Sequence, residues 1–202
     1  DGRVVLGLGA GWQQNEHEAY GIEYGTAGSR LDMLEESCQV LKGLFHNDHF
    51  DFDGKYYQLR NAPLEPKPKQ AKIPLMIGGG GEKRTLKITA QYADEWNVWG
   101  DVAILKHKMA ILDQHCEAVG RDPNEIERSA VALLFLSDNE NYLKRIRSAD
   151  MNMPAIIGTV NEVIDIIANF EEAGVKELIV PDFTLGTLIG ADSVKLEIME
   201  KF

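Results

Sequence analysis

An α/β fold with a parallel sheet is what this sequence predicts, on three observations. Short apolar runs recur along the chain, each separated from the next by a helical pattern. The runs are mostly continuous rather than alternating, as strands covered on both faces must be. Each ends in small or polar residues: Gly9-Ala10-Gly11-Trp12, Gly78-Gly79-Gly80-Gly81-Glu82, Trp99-Gly100-Asp101, Ser137-Asp138 and Pro181-Asp182-Phe183. In parallel α/β folds that edge of the sheet binds ligands, so the site is expected there.

Taken in order, the first strand is residues 4–8, entered within two residues of Asp1; the missing initiator methionine reads as a cut N-terminus. Ser29 with Asp32 forms a capping-box-like helix start, and Leu31, Leu34, Cys38, Leu41 and Phe45 then recur every three or four residues. Residues 46–70 break the alternation: Asp53-Gly54 between aromatic residues is a hairpin signal, and a proline-rich return follows, so this segment reads as an insertion. Residues 75–77 form the second strand, followed by four glycines and a helix carrying Leu86, Thr89, Ala90 and Ala93. Residues 95–98 are the third, leading to a helix with Leu105, Leu112, Cys116 and Val119 that stops at Gly120. Residues 130–136 read as one strand. Thr159 with Glu162 is a capping box before Val163, Ile166, Ile167 and Phe170, and Gly174 is placed to end that helix in a left-handed turn. The last strand is residues 178–180, and a final amphipathic helix is expected from about Ser193 onward.

Composition narrows the function. The 202 residues, 44% hydrophobic and 26% charged, suit one domain over 1–202 with a sizeable core. A net charge of −11 argues against nucleic acid, which requires a basic surface. The longest apolar run, 130–136, is too short to span a membrane, and no signal-peptide pattern opens the chain, so a cytoplasmic location is expected. Cys38 and Cys116 lie on apolar helix faces and read as buried thiols rather than a disulfide.

Common motifs are absent. "GLGAGWQQ" breaks the G-x-G-x-x-G spacing at Trp12, no Walker sequence occurs, and no G-x-S-x-G elbow is present. His46 and His49 sit beside Asn47 and Asp48 without metal-site spacing and read as surface residues. The glycine run fits two readings equally: a tight strand-to-helix turn, or a cradle that lets a phosphate approach backbone N–H groups, with Lys83 and Arg84 adding charge. Trp12, Trp96 and Trp99 lie at strand ends, where each either fills the core, the favoured reading, or covers a flat conjugated ring. Asn15, Glu16 and His17 suit an exposed loop or a ligand contact equally well.

The runs "VVLGLGAGWQQNEHEAYGIEYGTAGSRLDMLEESCQVLKGLF", "FDGKYYQL", "PLEPKPKQAKIPLMIGGGGEKRTLKITAQYADEWNVWG" and "GTVNEVIDIIANFEEAGVKELIVPDF" together resemble the bacterial-luciferase-like superfamily, and within it the branch using the deazaflavin coenzyme F420. The resemblance implies a (β/α)8 TIM barrel of which this chain holds strands four to eight, the first three βα units being absent. It implies that Gly9, Ala10, Gly11 and Trp12 of the strand-four loop contact the cofactor, and that Gly78, Gly79, Gly80, Gly81 and Glu82 hold its phosphate-bearing tail. It also implies hydride transfer between F420 and a small organic substrate; FMN in its place implies a monooxygenase. A barrel fragment without catalysis, assembling with another chain, is the third reading, and apolar edges left by the absent strands predict a homo-oligomer or a complementing fragment. Two positions depart from the family. Relatives acting on sugar phosphates carry an acid after the strand-four G-x-G where this chain has Trp12, and Glu95 replaces the usual glycine of Ala-Asp-Gly-Trp-Asn. No residue is identified as the catalytic acid or base.

Overall fold

The first apolar run becomes a strand only at its far end. In the computed structural model, which describes residues 2–151 and 153–181, β1 is Leu6–Leu8, while Val4 and Val5 stay exposed. The chain then forms α1 (Gln14–Tyr20), α2 (Ala27–His46), β2 (His49–Asp53), β3 (Gln58–Pro63), β4 (Leu75–Gly78), α3 (Thr85–Tyr92), β5 (Glu95–Trp99) and α4 (Val102–Ala118). It continues through β6 (Glu127–Val131), β7 (Leu133–Leu136), α5 (Glu140–Arg147), β8 (Ala155–Gly158), α6 (Val160–Glu172) and β9 (Glu177–Ile179). The helix expected from Ser193 lies outside the described residues. Two units form, one from Asp1–Trp96 with Leu112–Ile126, the other from Asn97–Ile111 with Glu127–Phe202.

In the first unit β1 and β4 pair in parallel, with Leu6 opposite Leu75 and Leu8 opposite Ile77, and β1 lies at the end of its sheet. Leu34, Cys38, Ile77, Ile88 and Ala93 form the core cluster, with Leu8, Ala10, Leu31 and Tyr92 packed around it. Both cysteines are buried and neither forms a disulfide, as their helix positions predict; burial pushes the Cys38 thiol up to about 12. The helix start at Ser29 and Asp32 needs correction. The cap of α2 is Thr26, whose side chain accepts from the Ser29 N–H while the Ser29 hydroxyl accepts from the Thr26 N–H, so a serine takes the place of the usual acid. Asp94 anchors the start of β4 by accepting from Leu75 N at 3.0 Å and pairing with Lys72. Burial opposes its charge, but those two partners outweigh it and hold the carboxyl below its ordinary value.

β2 and β3 form an antiparallel hairpin, as the Asp53-Gly54 pair predicts. It is fastened to α2 by Glu36, whose carboxylate accepts from the N–H groups of Lys55, Tyr56 and Tyr57 at 2.8, 2.9 and 3.0 Å. Partial burial raises that carboxyl, and the three backbone donors more than reverse the effect, leaving it below its ordinary value. Gly54 makes this possible, because a Cβ there would stand 2.4 Å from the Glu36 carboxylate. Gly43 on α2 plays the same part for Phe50, whose ring lies where a Cβ would be.

In the second unit β6 pairs in parallel with β9, and β7 with β8. The single strand expected over 130–136 is therefore two. Ala132 N donates to Ile179 O and the next residue, Leu133, donates to Pro154 O, so the chain changes partner strand between consecutive residues. All four residues of β7 are buried. The Thr159–Glu162 capping box stands as expected, and Gly174 adopts φ +97° after α6. Asn97 donates to Ser129 Oγ at 2.8 Å within this unit. Among the described residues, no helix is long and apolar enough to cross a membrane.

Candidate functional site

The glycine run follows β4 directly but does not lead straight into a helix. Gly78 closes the strand, Gly79 takes φ +130°, which only glycine adopts readily, and a turn over residues 82–84 intervenes before α3 begins at Thr85. Leu86 N donates to Gly81 O at 3.0 Å and closes the turn. Two further carbonyls of the turn are tied down from outside it. The buried Trp96 indole of β5 donates to Gly79 O at 2.9 Å, and His115 of α4 donates through Nε2 to Glu82 O at 2.8 Å. Trp96 is thus a core residue with a second duty at the turn.

Beside the turn lies an open groove of about 390 Å³, lined by Leu31 and residues 80–85. Thr85 is only 8% exposed, and its hydroxyl faces Gly81, where an added Cβ would come within 2.7 Å of it. The N-terminus of α3 adds partial positive charge at the same place. Lys83 is exposed at the groove. Arg84, expected to add charge to it, is engaged elsewhere: its guanidinium pairs with Asp32 at 2.7 Å and donates to Gly28 O at 3.2 Å.

The loop after β1 leaves the neighbouring strand at the same edge. Gly9 is adjacent to Gly78, since a Cβ on Gly9 would meet Gly78 O at 3.8 Å. Ala10 packs against the core cluster. Gly11 takes φ +68°, and Trp12 is 80% exposed. The groove lining thus brings together Gly80, Gly81 and Glu82, with Gly78, Gly79 and Gly9 at the strand tips behind it; Gly11 and Trp12 are not part of that lining. Asn15, Glu16 and His17 lie on α1, a helix without buried residues. Trp99 is 37% exposed. His46 bonds its own helix through Lys42 O, and no group of potential metal ligands occurs among the described residues.

Sequence reasoning passed over Thr85 and His115. Thr85 follows a charged turn and looks like any helical threonine; only its burial beside glycines marks it.

Parallel strands whose C-terminal tips carry a glycine turn and a groove define the α/β class in which ligands sit at that edge. The family follows from comparison: residues 1–145 match the luciferase-like monooxygenases, and the chain belongs to that family. Pyrimidine monooxygenase RutA of Caulobacter segnis is 30% identical over 139 residues, covering 68% of this chain and 39% of that protein. The F420-dependent glucose-6-phosphate dehydrogenase of Microbacterium testaceum is 27% identical over 150 residues, covering 72% and 44%. The solved structure of an F420-dependent secondary alcohol dehydrogenase in complex with an F420-acetone adduct superposes with a TM-score of 0.76 at 23% identity, over 89% of this chain and 64% of that one, which is a likeness of fold. The chain spans about two fifths of the length of the curated relatives it matches.

Proposed function

We propose that this chain forms the coenzyme-tail-holding part of an F420-dependent oxidoreductase, and that the described strands belong to strands four to eight of a luciferase-like barrel. The observation that carries the reading is the groove over Gly80 and Gly81 with the Thr85 hydroxyl beside it. A hydroxyl so placed can donate to a ligand acceptor, a bond that contributes about 0.5–1.5 kcal/mol net. A phosphate oxygen is such an acceptor, and the glycines and helix end favour the same charge. The residues present therefore fit the group.

Bound F420 would supply hydride transfer with a small organic substrate. The chain's own part is to hold and orient. Gly80, Gly81 and Glu82 through their backbone, and Thr85 through its hydroxyl, would hold the anionic tail; Trp96 and His115 fix the turn's carbonyls so that its backbone does not reorganise on binding. Trp12 in place of an acid points away from a sugar phosphate as substrate. Identity to a pyrimidine monooxygenase favours a second reading, an FMN-dependent monooxygenase on the same groove.

Parallel titrations with F420 and FMN, followed by tryptophan quenching, rank the two cofactors. Gly80→Asp is expected to weaken binding of the preferred one by at least about tenfold through charge repulsion, with an unchanged far-UV spectrum. Equal affinity for wild type and variant sinks the tail-holding reading.

A further inference from the structure

The loop after β1 is held by a clamp that leaves its most apolar side chain in water. Arg30 of α2 donates through Nε to Gly11 O at 2.9 Å and through Nη1 to Tyr24 O at 3.0 Å, and its guanidinium lies 3.8 Å above the Tyr24 ring. The Tyr24 hydroxyl in turn donates to Trp12 O at 3.0 Å. His17 meets Tyr24 edge-on, with ring centroids 5.1 Å apart, and occupies the space a Cβ on Gly11 would need. The carbonyls of the two peptides that flank Trp12 are thus fixed, yet the indole is 80% exposed. A loop with slack would fold so large an apolar side chain inward. This one is held at its backbone by a guanidinium and a tyrosine hydroxyl.

We propose that Arg30 and Tyr24 are positioning residues that present the Trp12 indole as a stacking platform for a planar conjugated ring. This deepens the coenzyme reading, since the ring and the tail would occupy neighbouring strand tips, but it rests on a separate set of contacts. Arg30 acts through two carbonyls and a ring face at once, a combination that a lysine's single ammonium cannot reproduce.

The test separates ring from tail. Lumichrome, a tricyclic ring without any anionic tail, and inorganic pyrophosphate, an anion without a ring, are titrated against wild type and against Trp12→Ala, Arg30→Lys, Arg30→Ala and Tyr24→Phe. In the Trp99→Phe background, Trp12 dominates the quenchable emission. Lumichrome is expected to quench that emission in wild type and to bind about fivefold or more weakly in Arg30→Lys and Tyr24→Phe, a change equivalent to the loss of one hydrogen bond. Pyrophosphate binding should be unchanged in all four variants, and added guanidinium should restore lumichrome binding to Arg30→Ala. Tyr24→Phe removes one hydroxyl only and keeps the test valid if Arg30→Ala does not fold. Lumichrome binding that survives Trp12→Ala, or is indifferent to both Arg30→Lys and Tyr24→Phe, overturns the proposal. Pyrophosphate failing to bind wild type while lumichrome binds overturns the tail reading and leaves the platform standing.

Discussion

Single residues carry most of the argument at the groove. Thr85→Val preserves shape and removes the hydroxyl, so anion affinity should fall about tenfold while the melting temperature stays near that of wild type; isothermal titration with pyrophosphate and a thermal scan measure both. Gly81→Ala places a methyl against that hydroxyl and should lower affinity further. Away from the groove, Glu36→Gln should destabilise the protein by about 1–2 kcal/mol, since a neutral amide accepts less strongly from three N–H groups than a carboxylate does. Acid adds a second measurement. Glu36 and Asp94 both titrate below their ordinary values of 4.5 and 3.8 in the folded protein. Their contribution is therefore complete above those values and disappears as pH falls through the lower folded-state ones. Denaturant midpoints should drop over that acidic window, and the drop should be smaller in Glu36→Gln. Cys38, with its thiol pushed up to about 12, should resist thiol reagents at pH 8 until the protein unfolds, as mass spectrometry of labelled chains would report.

At the level of elements, what the sequence shows depends on what each element buries. The strands read at 75–77 and 95–98 were legible because Leu75, Ile77, Trp96 and Val98 are buried and apolar. The helix stripes at Leu86, Thr89 and Ala90 and at Leu105, Leu112 and Cys116 were legible for the same reason, whereas Val119, grouped with the latter, lies past the end of α4 and is 39% exposed. By contrast α1 buries no residue and α5 only Leu143, so neither has an apolar stripe to read. The short strand β8 carries four residues behind Pro154, too few to establish a period. The Glu36 clamp could not be seen because its donors lie 19 to 21 residues away in a turn. The hairpin itself was legible, but not its mooring on α2. Gly43→Val should loosen that mooring by displacing Phe50, which hydrogen exchange on residues 49–63 would register as faster exchange confined to the hairpin.

For the whole molecule, the strand-tip placement of the glycine run followed from the βα alternation, while the groove did not, because it depends on Thr85, the engaged Arg84 and the two tied carbonyls. The homo-oligomer expected from the sequence is measured directly by sedimentation over a concentration range, where self-association should appear; a monomer throughout removes the expectation.

The contact between His115 and Glu82 has one more outcome. A carbonyl oxygen has no hydrogen to give, so the imidazole must carry one on Nε2, and the ring's tautomer is dictated by the very turn it supports. Nitrogen-15 chemical shifts of that ring would report the state of the glycine turn from the far side of the backbone, with no ligand present and no tryptophan involved.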